Sequence, residues 1–340
     1  MKKRSTVIGV VAAMATTLIG AGGVRAQDVA NVAAAKKEGR VVWYTSTPIK
    51  TAQVIAQMFE KRYGVHVELF RSGGSAVLRR FLQEAQAKRV FADVLTTSDP
   101  SAAEQLAQSG TFVPFKPKNF NKILASGRDA AGDYIAQRLN IITFYARSDK
   151  VAPADIPHTW ESLLDPKYKG KLVMTDPSFT SLQLTVVGMN AKIKGWQYYK
   201  KLRANDIMVV PGNQQVSDMV KSGERTIAAG ALDSYAAEDR KSGSPIESIY
   251  PSDGTYIIPS PTSVVKGSPH PNAARLLAQF MISDKVQKLF PADGAYSARI
   301  DLPPPAGAPA IKNIKEIKVD YAYLRKESAV VKKKFDEIFE

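Results

Sequence analysis

Gly39-Arg40-Val41-Val42-Trp43-Tyr44-Thr45-Ser46-Thr47-Pro48 reads as a compact apolar strand that stops at three hydroxyls and a proline. Ala52, Ile55, Ala56 and Phe59 follow at helical spacing, with Pro48 near the start and Gly64 after the end as boundary signals. Val65-His66-Val67-Glu68-Leu69 alternates as a strand, Arg71-Ser72-Gly73-Gly74-Ser75 is a loop, and residues 76–87 are helical in spacing. Ala92-Asp93-Val94-Leu95 is the next strand, closed by Thr96-Thr97-Ser98-Asp99-Pro100. This βαβαβ rhythm predicts a mainly parallel sheet with helices on both faces.

The rhythm restarts downstream. Residues 141–145, 171–174, 207–210 and 226–230 read as strands, and residues 181–189, 195–202 and 214–221 as helices. A chain of 340 residues exceeds what one hydrophobic core usually holds. Two α/β units in tandem are therefore expected, with a ligand cleft where loops at the strands' carboxyl ends converge.

The N-terminus sets the compartment. Met1-Lys2-Lys3-Arg4, an apolar small-residue run over residues 7–19 and the exit Val24-Arg25-Ala26 are the three parts of a secretory signal peptide, residues 1–26, with cleavage before Gln27. The run is too short for a comfortable bilayer span. Export to the periplasm is expected. Cysteine is absent, which excludes disulfides, thiolate metal sites, a cysteine nucleophile and a lipidated N-terminal cysteine.

With 47 Lys and Arg against 32 Asp and Glu, the net charge is +15, and losing residues 1–26 leaves the rest strongly basic. The cations are scattered apart from Lys332-Lys333-Lys334, so a solvated surface or a field favouring anionic ligands outweighs nucleic-acid binding. No Gly-x-Ser-x-Gly elbow, phosphate-binding Walker loop or His-Glu-x-x-His is present, and Gly73-Gly74 lacks dinucleotide spacing. Neither a catalytic residue nor a cofactor is expected.

Several segments carry a resemblance. Beyond the opening strand they are Phe59-Glu60-Lys61-Arg62-Tyr63-Gly64-Val65, Ala92-Asp93-Val94, Trp160-Glu161-Ser162-Leu163-Leu164-Asp165-Pro166-Lys167-Tyr168-Lys169-Gly170-Lys171, Ser222-Gly223-Glu224 and Lys266-Gly267-Ser268-Pro269-His270-Pro271-Asn272-Ala273-Ala274. In order and spacing the chain resembles the family 1 extracellular solute-binding proteins of ABC importers, and within them the ferric-iron-binding periplasmic group. The resemblance implies the α/β, two-lobed type II periplasmic binding protein fold, with a ligand cleft between lobes and chain crossings near residues 139–143 and 255–259. Lobe 1 would comprise residues 27–139 plus 259–292, and lobe 2 residues 140–258 plus 293–340. It also implies a monomer that closes on a small-molecule ligand and docks on an inner-membrane ABC permease, with no catalysis.

Ferric-binding relatives use two adjacent tyrosines of the second lobe with a histidine and a carboxylate of the first. In register with Ser222-Gly223-Glu224, the tyrosine-pair positions fall on Asp233 and Ser234, with Tyr235 one place late. The histidine position falls in Thr45-Ser46-Thr47-Pro48, which has none, and the carboxylate position near Asp99. A hard ferric ion needs several anionic oxygens. The expected cargo is therefore a small anionic or zwitterionic solute, phosphorylated or phosphonate-bearing, with ferric iron and a synergistic anion as the alternative. No resident metal is expected, since His66, His158 and His270 lack ligand spacing.

The candidate ligand contacts are Thr45, Ser46 and Thr47 at the first strand end, the loop Arg71, Ser72, Gly73, Gly74 and Ser75, and Ser98 with Asp99. The second unit offers Ser178, Thr180, Asn213, Asp233, Tyr235 and Tyr256. Residues 71–75 suit an anion held by helix N–H groups and hydroxyls, and equally a turn with an N-cap serine. Asp99 and Asp233 suit the amine end of a zwitterion or a hydroxyl-rich ligand, and equally a turn cap.

Overall fold

In the computed structural model, which describes residues 30–340, α1 (Val32–Glu38) leads into β1 (Arg40–Thr45) and α2 (Ile49–Tyr63). The signal peptide expected over residues 1–26 lies outside the described residues. Ala52, Ile55, Ala56 and Phe59 are the buried stripe of α2, as their spacing requires. Then come β2 (His66–Arg71), α3 (Gly74–Gln86), β3 (Val94–Thr96), α4 (Pro100–Gln108) and the short β4 (Phe112–Val113). β1 lies between β2 and β3 and pairs in parallel with both.

β5 (Ile135–Arg147) is a strand of 13 residues, buried along all but its last. The second unit follows: β6 (Leu172–Thr175), α5 (Ser181–Lys194), α6 (Gln197–Ala204), β7 (Met208–Val210), α7 (Asn213–Ser222) and β8 (Ile227–Leu232). β6 pairs in parallel with β7 and β8. The chain then forms α8 (Asp233–Lys241), β9 (Ile246–Ile249), β10 (Ile257–Val265), α9 (Pro271–Met281), the single turns α10 (Asp284–Gln287) and α11 (Leu289–Ala292), β11 (Tyr296–Ser297) and α12 (Tyr321–Phe339).

The main strand order is β2-β1-β3-β10-β5-β8-β6-β7. Parallel pairing is confined to the two ends. At the centre β10 runs antiparallel to β3 and β5, and β5 antiparallel to β8, so the sheet is mixed rather than mainly parallel. The cause is that two long strands carry the chain between two cores in opposite directions. Leu139 and Ile141 of β5 pack in the first core, and Ile142 and Phe144 in the second. On β10, Ile258 belongs to the second core and Val264 to the first.

The C-terminal stretch divides between the cores. Tyr296, Ala298 and Ile314 join the first, because β11 pairs with β5 at Leu139 and Arg138. Leu324, Val331 and Phe335 of α12 join the second. Gly188, midway along α5, lets α12 approach: a Cβ there would lie 2.5 Å from Leu324 Cδ2.

Candidate ligand-binding cleft

Four helices begin at a cavity of about 360 Å³ between the two cores. α2 and α3 come from the first unit, α5 and α7 from the second. Their N-cap residues Pro48, Gly73, Thr180 and Gly212 make no side-chain cap hydrogen bond. The first N–H groups of each helix have no intrahelical acceptor, and the aligned peptide dipoles leave a positive end there. Four such ends at one space are a favourable setting for an anion.

Arg138 stands on the floor of this cavity, on the crossing strand β5. It is only 3% exposed, and its Nε has no hydrogen-bond partner. Burial, the larger effect, and the nearby Arg71 cation push its guanidinium down to about 10, while Tyr235 opposes the shift. It stays charged at neutral pH, without a carboxylate beside it among the described residues. An isolated buried charge costs several kcal/mol unless something pairs with it. Arg71, whose Nε donates to the Thr47 carbonyl at 3.1 Å, lines the same cavity. The hydroxyl of Tyr235 is pushed up by burial, with Arg71 and Arg138 opposing and Glu238 adding to the rise.

Eight of the residues expected from sequence line the cavity: Ser46, Arg71, Gly73, Gly74, Ser98, Thr180, Asn213 and Tyr235. The other eight do not. Thr45 and Thr47 are buried beneath it, bonded to each other at 2.8 Å, and Thr47 also donates to Gln137 Oε1. Ser72 gives its N–H to the Thr45 carbonyl, and Ser178 its N–H to Asp176 Oδ1. Ser75 and Asp99 border a separate groove near α12, where the Asp99 carboxylate caps α4 by accepting from Ala102 N–H and burial pushes its pKa up.

Asp233 and Tyr256 are likewise internal. The Asp233 carboxylate accepts from Ser248 Oγ and Tyr250 OH, both at 2.6 Å, and burial again pushes its pKa up. Tyr256 is fully buried and donates to Asn190 Oδ1 at 2.7 Å. The resemblance puts Asp233 at a tyrosine-pair position and Tyr256 beside an expected crossing, and neither placement says which way the side chain turns. Among the lining residues outside the expected set are Arg138, Lys50, Phe179 and Glu238. Phe179 is 43% exposed at the cavity edge, its ring 3.1 Å from where a Gly73 Cβ would sit.

The two units touch on both sides of the cavity. Lys50 of α2 pairs with Glu238 of α8 at 2.6 Å. Ser181 Oγ, at the start of α5, donates to the Ser98 carbonyl at 3.2 Å. Arg325 of α12 pairs with Glu104 of α4. Ligand bound here contacts both units at once.

Residues 90–327 match the bacterial extracellular solute-binding protein family. The chain belongs to that family. As a member it is the periplasmic solute-binding component of an ABC importer, a transport protein and not an enzyme, which takes a small ligand and works with a permease. Solved structures share its type II periplasmic binding protein fold. AfuA from Actinobacillus pleuropneumoniae, with fructose-6-phosphate bound, superposes with a TM-score of 0.77 at 22% identity over 88% of this chain and 98% of that one. Iron-bound HitA from Pseudomonas aeruginosa gives 0.76 at 20% over 88% and 99%. A Salmonella typhimurium relative named "Putative 2-aminoethylphosphonate-binding periplasmic protein" is 27% identical over 250 residues, 69% of this binding protein and 70% of its own length. No helix among the described residues of the binding protein is long and apolar enough to cross a membrane.

Proposed function

We propose that the protein captures a small solute bearing an anionic head group, a phosphonate or phosphate, between its lobes and releases it to the permease. One observation carries the reading: Arg138 is buried, charged and unpaired at the meeting point of four uncapped helix starts. An anion there supplies the missing counter-charge and accepts from backbone N–H groups of both lobes. Closure is then favoured because those contacts exist together only when the lobes meet. The 2-aminoethylphosphonate in one relative's name and the fructose-6-phosphate bound to AfuA carry head groups of this chemistry. Export with cleavage before Gln27 and a monomeric state belong to the same proposal.

Ferric iron as cargo fits less well. Among the described residues Tyr235 is the one tyrosine lining the cavity, and burial raises its hydroxyl pKa, which opposes the phenolate a ferric ion needs. Among the described residues no three His, Cys, Asp or Glu side chains could hold a metal ion together.

The test is thermal unfolding of purified protein with inorganic phosphate, ethylphosphonate, 2-aminoethylphosphonate, fructose-6-phosphate and ferric citrate added separately. A bound solute at 100 times its Kd should stabilise the fold by about 2.7 kcal/mol if the unfolded chain does not bind it. At least one phosphonate or phosphate should do so, and ferric citrate should give neither stabilisation nor a red-brown band. Stabilisation by ferric citrate alone, with the band, would replace this reading with iron capture.

A further inference from the structure

We propose that Glu238 receives a cationic end of the solute, so that the cleft selects an amine-bearing phosphonate or phosphate over the plain anion. The inference rests on Arg138 being the anion's partner. Among the described residues, Lys50, Arg71, Arg138 and Glu238 are the charged ones lining this cavity, and Glu238 is its only acid. It lies three residues after Tyr235 on α8, on the same helix face. The Tyr235 hydroxyl feels Arg71, Arg138 and Glu238 together, so the acid and the two guanidiniums flank one side chain.

The present partner of Glu238 is itself a primary ammonium. Lys50 Nζ reaches it at 2.6 Å from the opposite lobe, with the lysine side chain 83% exposed and the glutamate 50%. An exposed pair of this kind contributes little to stability. A ligand ammonium can therefore take the place of Lys50 at small cost to the fold, and gains by being tethered to an anion already held. There is room for such a ligand. A second cavity of about 400 Å³ adjoins the first, shares Arg138, Tyr235, Lys50 and Glu238 with it and adds Lys241 and Asp293, so the space continues past the anion site along a wall that carries Glu238.

Calorimetry on the full chain with 2-aminoethylphosphonate and ethylphosphonate tests this. Wild type should bind the amino compound about tenfold more tightly, and Glu238→Gln should weaken the amino compound about tenfold more than the plain one. Lys50→Gln removes the competing ammonium and should widen the preference. Arg138→Met should weaken both probes alike. Equal binding of the two probes to wild type, or a Glu238→Gln loss shared equally between them, overturns the role of Glu238 and leaves the anion site standing. Failure of wild type to bind either probe overturns both.

Discussion

Arg138→Met is expected to weaken binding of a phosphonate- or phosphate-bearing solute by about 3 to 5 kcal/mol, roughly two to four decades in Kd. The magnitude follows from burial. The guanidinium is 3% exposed, so its attraction for an anion is poorly screened, and methionine removes both the charge and the hydrogen bonds. The ligand-free protein should not lose stability. Methionine fills a similar volume and has no charge to desolvate, so the variant's Tm without ligand should equal or exceed that of wild type.

The pH dependence has a definite sign. The folded-state value of Arg138, about 10, lies below the ordinary arginine value, so folding disfavours its proton. Its charge therefore costs the ligand-free fold stability at all pH values below about 10, and above that the cost is relieved as pH rises toward the ordinary arginine value. Anion binding runs the other way, since it needs the proton and should fade as pH climbs through 10. Calorimetry and unfolding on the same two proteins check both halves. A Met variant that binds normally, or that is much less stable without ligand, would contradict the assignment.

Gly74→Val should weaken the same solute by about 2 to 3 kcal/mol, close to a hundredfold, while barely changing the protein's own stability. A Cβ at position 74 would lie 2.5 Å from Ser181 Oγ and 3.8 Å from Ser46 Cβ. Ser181 is fixed there by its bond to the Ser98 carbonyl across the lobes. The added methyl groups act as a wedge exactly where α3 meets α5, so the closed arrangement loses contacts that the open one never had. The first position of a helix tolerates valine, and no strained backbone is involved. Small-angle scattering should show wild type contracting with ligand and the variant staying extended; a variant that contracts and binds like wild type would remove this contact from the closure.

Much of the fold was legible in the sequence because both terminal units follow local rules. The stretch Val41 to Tyr44 lies inside β1, the helix read over residues 76–87 overlaps α3, and the strands read from residues 171, 207 and 226 each begin one residue before β6, β7 and β8. The centre of the sheet was not. β10 contains Pro259 and Pro261, which cannot donate to a ladder, and they hide a central strand by sitting where its register slips. β5 was read only over residues 141–145, since Gln137, Arg138 and Asn140 break the apolar pattern in its first half.

That break also hid the most informative residue. A buried arginine in mid-strand looks like the end of the strand, and nothing local says that the space above it is a cleft. The expected residues that line the cavity, such as Gly73, Gly74, Thr180 and Asn213, sit at strand-to-helix junctions where position in the α/β rhythm predicts exposure to the cleft. Asp233 obeys the same positional rule and Tyr256 sits just before β10 at an expected crossing, yet both turn inward, because each finds internal partners, Tyr250 and Ser248 for one and Asn190 for the other. Partners of that kind are tertiary and leave no local mark. Glu238 and Lys50 lie within their helices, on faces chosen by the lobes' mutual orientation.

The central claim is that an anionic solute pairs with Arg138 between the lobes. Its most direct test is mass spectrometry of ligand released from freshly purified wild-type protein and from Arg138→Met prepared in parallel. The account predicts one equivalent of a phosphonate- or phosphate-bearing small molecule from wild type and none from the variant. A neutral solute, ferric iron, or the same ligand retained equally by Arg138→Met would contradict it.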